Sequence, residues 1–174
     1  MNRQNISMCV AAAVLLVAAS ASQATEAVSA ALQPPAGYTV AFTAKASGVQ
    51  IYTSTAEAGA PKWTFEAPLA ELSGTTGVIH HYAGPSWEAA DGSKVTRDTA
   101  TPVATMPAAD ASHDIPWLLV KVVADPTAGA LSNVGYVQRI STQGGVAPST
   151  PPARAGTKVG VPYTATYVFY TKSN

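Results

Sequence analysis

The chain has 174 residues, of which 47% are hydrophobic and only 11% are charged, with 13 glycines and 13 prolines. This composition excludes a charged disordered tail, a coiled coil and a collagen-like repeat, and the length fits one domain with a core of its own. Ten basic and ten acidic residues give a formal net charge of zero and are scattered singly. The sequence therefore offers no basic stripe for nucleic acid or for a membrane surface.

The first 24 residues have the features of a signal peptide. Arg3 supplies a positive charge, and the apolar run at 9–19 is too short to span a membrane as a helix. Small residues follow it and provide cleavage sites at 19–21 and 22–24. The sequence thus predicts an exported protein, periplasmic or extracellular, with no membrane span after cleavage. Residues 25–36 are expected to form a leader or linker, and 37–174 a single β-domain.

The single cysteine, Cys9, lies inside the predicted signal peptide. The mature chain is therefore expected to be cysteine-free, which excludes disulfides, thiolate nucleophiles and cysteine-ligated zinc or iron–sulfur sites. We expect packing alone to stabilise the fold, and no cofactor.

The predicted domain has the composition of an all-β protein. From residue 25 onward it contains 19 threonines but only 6 leucines, and no window has the apolar periodicity of an amphipathic helix. Short strands are predicted, in chain order, at 39–46, 48–54, 62–65, 77–82, 94–104, 115–124, 134–140 and 161–170. About eight strands at this spacing predict an antiparallel β-sandwich or barrel.

Three segments give more detail on this architecture. Residues 115–124 are apolar on both faces, which favours a central strand over the alternative of a buried helix. The Asp-Gly pair within 90–93 predicts a hairpin tip. Residues 143–159 are rich in glycine and proline and have no periodicity, which predicts a long surface loop.

Several motifs occur together along the chain: GVQIY at 48–52, HYAGPSWEAADGSKV at 81–95, IPWLL at 115–119, and VQR at 137–139 followed by GG at 144–145 and VPY at 161–163. Over about residues 34–170 they resemble a secreted bacterial and fungal family, domain-of-unknown-function family 3455. The resemblance implies no reaction. Family members usually carry a cysteine two residues after the Gln-Ile-Tyr motif and another in the Gly/Pro-rich loop. This chain has Ser54 at the first place and no cysteine at 149–153, so the resemblance implies a loop without its anchor.

His81 is the first candidate for a chemical role. It could act as a base or metal ligand together with Glu88, Asp91 or His113, because imidazole titrates near neutral pH and binds transition metals. The alternative is a buried histidine bonded to the backbone, which is favoured because no metal-binding spacing surrounds His81. Glu88 and Asp91 could also form a carboxylate pair for acid–base catalysis, although the hairpin turn accounts for Asp91 by itself.

Ligand binding has four candidate residues, namely Tyr82, Trp87, Gln138 and Arg139. An exposed Trp87 could stack on a sugar ring, and the alternative is that it plugs one end of the domain. Gln138 and Arg139 alternate along one strand, so only one of them should point inward. A buried Arg139 would need a partner, for which the sequence offers Glu66, Glu88 and Asp98.

The leading functional interpretation is a non-enzymatic exported β-domain that binds a glycan or another envelope component through residues 81–91 and the Gly/Pro-rich loop. The alternative is a hydrolase or metal-assisted enzyme centred on His81 and Glu88. A structural or stress-related surface protein without a small ligand is the third interpretation. The sequence specifies neither the ligand nor the oligomeric state.

Overall fold

The structure, a computed structural model, describes residues 28–56 and 60–173. The predicted signal peptide, including Cys9, lies outside the described residues. One turn of 3₁₀ helix (Ala30–Leu32) precedes nine strands. The strands are β1 (Tyr38–Thr55), β2 (Lys62–Gly74), β3 (Gly77–Tyr82), β4 (Ser86–Ala89), β5 (Lys94–Arg97), β6 (Ala104–Met106), β7 (Trp117–Ala124), β8 (Val134–Gly144) and β9 (Lys158–Lys172).

Eight of these strands close into an antiparallel barrel. Their order is β5-β4-β3-β2-β1-β9-β8-β7, and the circle closes because β5 also pairs with β7. The second half of β7 bonds to β5, while its first half bonds to the extra strand β6. The all-β prediction is confirmed, and the barrel is the architecture adopted. Closure leaves fewer strand edges exposed to other chains.

The longest strands were only partly predicted. The predicted strands at 39–46 and 48–54 are one continuous strand, β1, in which Gly48 lies against β2. A Cβ atom at Gly48 would lie 2.3 Å from the Leu69 carbonyl oxygen, so only glycine permits this approach. Strand β2 also continues to Gly74, well past the predicted end at 65. It carries a bulge at Glu66, opposite the step from Ile51 to Tyr52, and pairs with β1 through Pro68.

The segment after the β3–β4 hairpin corrects two further predictions. Residues 86–89, which lie outside every predicted strand, form β4. The strand predicted at 94–104 ends at Arg97, because the Asp98 carboxylate accepts hydrogen bonds from the Ala100 amide at 2.9 Å and the Thr101 hydroxyl at 3.0 Å. This Asx turn reverses the chain. The hairpin tip at 90–93 is observed, with a φ of 84° at Gly92.

The first half of β7 is covered on both faces, as its sequence predicts, whereas Val123 near its end is 60% exposed on the outer face. On the inner face Val120 and Val122 join the barrel core. On the outer face Trp117 and Leu119 pack with Leu32 of the 3₁₀ turn, which forms a second, smaller apolar cluster. The buried-helix alternative for 115–124 is therefore excluded.

The structure of residues 28–56 and 60–173 includes no helix with the length and hydropathy needed to cross a membrane.

Candidate functional site

A cavity of about 520 Å³ lies at one end of the barrel interior, and we call it the mouth cavity. It is bordered by the ends of β1, β3 and β5 and by the beginnings of β2, β4 and β7. Apolar and aromatic side chains form much of its wall, including Tyr52, Phe65, Trp87, Ile115, Leu118 and Tyr167. Its volume falls within the range of about 300–1,000 Å³ that is usual for small-molecule sites.

His81 and Trp87 form one wall of the mouth cavity. They are directly paired across β3 and β4, and their rings stack with centroids 4.5 Å apart and an interplanar angle of 8°. The ring of Tyr167 meets His81 edge-on at 5.3 Å. His81 and Trp87 are only 3% and 1% exposed. Trp87 is therefore an interior side chain and presents no free face at the surface.

The protonation state of His81 follows from its surroundings. Its Nδ1 lies 2.9 Å from the Ser86 carbonyl oxygen, so Nδ1 carries the proton and donates it, while Nε2 is unprotonated. Burial lowers the pKa of His81 from its usual 6.5 to about 4, and the charge of Arg139 acts in the same direction against the opposing backbone hydrogen bond. His81 is neutral at pH 7 and is too weak a base to accept a proton readily there.

Arg139 is the charged group buried in this cavity. It extends from β8, is paired with Leu118 of β7, and is 8% exposed. Its Nε and Nη2 atoms donate to the Pro116 carbonyl oxygen at 3.3 and 2.9 Å, which fixes the guanidinium in place. Across the described part of the chain, no carboxylate forms an ion pair with Arg139. A buried cation without a counter-ion is unusual, because its desolvation is not offset by an opposite charge.

The carboxylates that the sequence offered to Arg139 are engaged elsewhere. Glu66 lies 2.6 Å from the Lys158 ammonium, and that hydrogen bond holds the pKa of Glu66 below its usual range. Asp98 lies 3.1 Å from Lys121. Glu88 accepts a hydrogen bond from the Tyr82 hydroxyl, which raises the pKa of Tyr82 to about 12.

Two further residues of the wall carry buried nitrogen atoms without a hydrogen-bond partner. These atoms are Trp87 Nε1 and Arg97 Nε, and neither has a partner among the described residues. Both are donors. A third donor in the wall, Gln50, forms a side-chain hydrogen bond with Tyr163. Unpaired buried polar groups are rare in folded proteins, and two at one cavity mark a place where the protein's own groups leave hydrogen bonds unmade.

The other predicted site residues lie away from the mouth cavity. Glu88 is paired with His80, on the opposite face of the β3–β4 hairpin from His81. Asp91 lies at the far end of the barrel, where its carboxylate accepts from the Ser93 hydroxyl at 2.6 Å and the Ala130 amide at 2.7 Å. His113 is exposed and contacts Asp110 at 2.8 Å.

His81 therefore has none of its proposed partners beside it. Where the structure describes the chain, no group of three His, Cys, Asp or Glu side chains is arranged to hold a metal ion. Gln138 lies on the outer face of the barrel, where its Nε2 donates to the Leu32 carbonyl at 2.5 Å and its Oε1 accepts from the Tyr170 hydroxyl at 3.0 Å. Of the residues selected from the sequence, the fold brings together His81, Trp87 and Arg139.

A family of proteins of unknown function, DUF3455, matches residues 73–171. The chain belongs to this family. No curated protein and no solved structure matches it. The matched residues run from the end of β2 almost to the end of β9. They contribute His81, Trp87, Arg97, Arg139 and Tyr167 to the mouth cavity, whereas β1 and most of β2 lie before the match.

The Gly/Pro-rich loop of this DUF3455 member is anchored without cysteines, contrary to the expectation from the missing pair. The Ser54 hydroxyl donates to the Arg154 carbonyl at 2.6 Å and accepts from the Thr157 amide at 2.9 Å. At the start of the loop, the Tyr52 hydroxyl donates to the Gly145 carbonyl at 2.7 Å. Because Tyr52 also lines the mouth cavity, the loop and the cavity wall are joined.

Sequence reasoning missed several of the cavity residues, chiefly Gln50, Tyr52, Arg97 and Tyr167. A signal was present in the alternation of β1, because Gln50 and Tyr52 share the strand face of the buried Ala44 and Ala46. A glutamine at an interior position of a strand points to a cavity or to a buried hydrogen bond.

Proposed function

We propose that this protein is an exported, non-enzymatic binding module that takes a small ligand into the mouth cavity. The observation that carries the proposal is the pair of unpaired polar atoms on Trp87 and Arg97 in the wall of an open cavity. An unsatisfied buried donor costs about 1–3 kcal/mol, so its presence favours a ligand that supplies the missing acceptor. We propose that the protein is exported because its sequence predicts a signal peptide.

The shape of the site restricts how a glycan or another envelope component would bind. A polysaccharide chain laid across the surface has no aromatic platform in Trp87, whose ring lies inside the barrel. A single terminal ring or a molecule of similar size fits a cavity of about 520 Å³. The ligand is therefore expected to enter the barrel end-on.

Binding is supported better than hydrolysis. The enzyme alternative needs His81 and Glu88 on one side of the same bond, whereas they project from opposite faces of their hairpin. His81 is also held neutral with a pKa of about 4, which makes it a poor general base at neutral pH.

The proposal is tested by closing the cavity on a strand that offers its own control. Leu118 and Val123 both belong to β7, but Leu118 lines the mouth cavity while Val123 is 60% exposed on the outside. We expect L118W to abolish binding of every small molecule that the wild-type protein retains in a thermal-shift and native mass-spectrometry screen, and V123W to retain it. Binding that survives L118W would overturn the proposal. A screen in which the wild-type protein binds no compound would also overturn it and would favour a purely structural protein.

A further inference from the structure

We infer that the mouth cavity accepts a carboxylate carried on a flat, largely apolar molecule. This inference rests on the proposed function and names the chemical class of its ligand.

The sign of the ligand's charge follows from Arg139. A guanidinium retains its charge at any physiological pH, so burial cannot neutralise it. The Pro116 carbonyl and the Tyr167 hydroxyl occupy only part of its donor set, and neither carries a charge to balance it. An anion in the cavity would supply both the missing charge and acceptors for the remaining N–H groups, and a carboxylate matches the planar fork of arginine in a bidentate pair.

The other residues that line the cavity also favour a negatively charged ligand. Arg97 adds a second cation to the lining, and His81 is neutral. The only carboxylate in the described lining, that of Glu66, is balanced by Lys158. The unpaired atoms of Trp87 and Arg97 are donors, whereas an ionised carboxylate is purely an acceptor. Charge and hydrogen-bonding capacity therefore point to the same kind of ligand.

The side chains that line the cavity indicate the shape and polarity of the rest of the ligand. The rings of His81, Trp87 and Tyr167 in the lining pack on one another, His81 stacked on Trp87 and Tyr167 edge-on to His81, which makes this part of the wall aromatic. Tyr52 and Phe65 form a second aromatic pair in the lining, with ring centroids 5.8 Å apart. Surfaces of this kind favour planar, apolar ligands through stacked and edge-to-face contacts.

The test compares two probes of nearly equal shape, 2-naphthoate and its neutral amide, 2-naphthamide, by isothermal titration calorimetry on the mature protein. A charge-assisted hydrogen bond predicts at least about tenfold tighter binding of the acid than of the amide. We expect R139Q to remove this preference and R139K to retain part of it. R154Q makes the same change at an exposed arginine outside the cavity, and we expect it to bind both probes as the wild type does. Circular dichroism of each variant establishes that it is folded.

The outcomes separate the inference from the proposed function. A preference for the acid that disappears in R139Q but not in R154Q supports the inference. Equal binding of acid and amide, abolished by L118W, would overturn the choice of an anion while leaving the binding cavity in place. A preference for the acid that persists in R139Q would also overturn it, because the charge would then be recognised elsewhere. Binding of neither probe at millimolar concentration would contradict both.

Discussion

The two ends of the barrel interior are built by the same strands, but one end is lined by apolar side chains and the other also holds polar and charged ones. Strand β3 contributes Ile79 to the closed end and His81 to the mouth, and β8 contributes Val137 and then Arg139. In each case a step of two residues along one strand leads from a fully buried apolar side chain to a polar one. The apolar closed end therefore contributes most of the stability of the fold, so the mouth can hold groups that destabilise it.

The closed end is also sealed by a loop. Leu131, between β7 and β8, inserts into the core cluster. Its amide donates to the Ser93 hydroxyl at 3.1 Å, and that hydroxyl is held by Asp91. A Cβ atom at the neighbouring Gly129 would lie 2.5 Å from an Asp91 carboxylate oxygen, so the contact requires glycine there. Asp91 thus has a structural role, because it holds the loop that seals the end of the barrel opposite the cavity.

The free energy of unfolding should be most sensitive to mutation at the closed end. Phe169 is fully buried and stacks on Phe42 with centroids 4.5 Å apart. We expect Phe169→Ala to lower the free energy of unfolding by about 3–5 kcal/mol, because it removes apolar contacts and leaves a cavity. Urea denaturation measures the change, with Val123→Ala on the outer surface as the control. A loss below about 1 kcal/mol would contradict a packed closed end.

The next effect is a pH dependence that originates at the mouth. The pKa of His81 is about 4 in the folded protein and near 6.5 when unfolded, so the unfolded chain binds this proton first as the pH falls. The stability from a neutral His81 is therefore complete above pH 6.5 and is lost between pH 6.5 and pH 4. The full loss is about 3 kcal/mol.

Two comparisons isolate this contribution in urea denaturation at a series of pH values. His81→Leu should flatten the decline between pH 6.5 and pH 5, and His80→Leu, at an exposed neighbour, should leave it unchanged. The carboxyl groups of Asp91, Asp98 and Asp110 have lowered pKa values, so their contributions are lost further down the pH scale. An equal slope in the wild type and in His81→Leu would refute the assignment.

Much of the closed end could be predicted from the sequence, because alternation and turn chemistry are local signals. The alternation of β9 and the Asp91-Gly92 turn were identified in that way. The limits of β2 and the existence of β4 could not be read from the chain. The first depends on a bulge at Glu66, and the second on a four-residue segment that pairs with its chain neighbours β3 and β5 but is too short to show a clear alternation of its own.

The mouth cavity could be predicted only in part, for a related reason. His81 and Trp87 stand out as residue types, and strand parity separates Arg139 from Gln138. The alternation does not tell which of the two points inward, since both are buried, one by the barrel and the other by the N-terminal segment. The absence of a carboxylate beside Arg139 depends on where Glu66 and Asp98 are placed by the closed barrel.

A smaller effect is expected where the Gly/Pro-rich loop meets the mouth. Ser54 is buried and its hydroxyl makes both a donor and an acceptor contact with the loop. Ser54→Ala should lower the free energy of unfolding by about 1–2 kcal/mol, because the Thr157 amide and the Arg154 carbonyl lose this partner. Hydrogen exchange should accelerate at Thr157 in this variant but not in Ser149→Ala, which changes an exposed serine. Unchanged exchange at Thr157 would show that other contacts hold the loop.

The smallest expected change in stability belongs to Arg139, on which the proposed preference for an anion depends. Arg139→Met replaces a buried cation by an apolar side chain of similar length, which removes an uncompensated desolvation cost while it gives up two hydrogen bonds to Pro116. We expect the free energy of unfolding to stay within about 1 kcal/mol of the wild-type value in urea denaturation, and the preference for 2-naphthoate to vanish. Phe169→Ala should show the reverse, a large loss of stability with the preference retained in the folded fraction. If Arg139→Met instead cost as much as Phe169→Ala, Arg139 would serve the fold, and the two ends of the barrel would not differ in the way described.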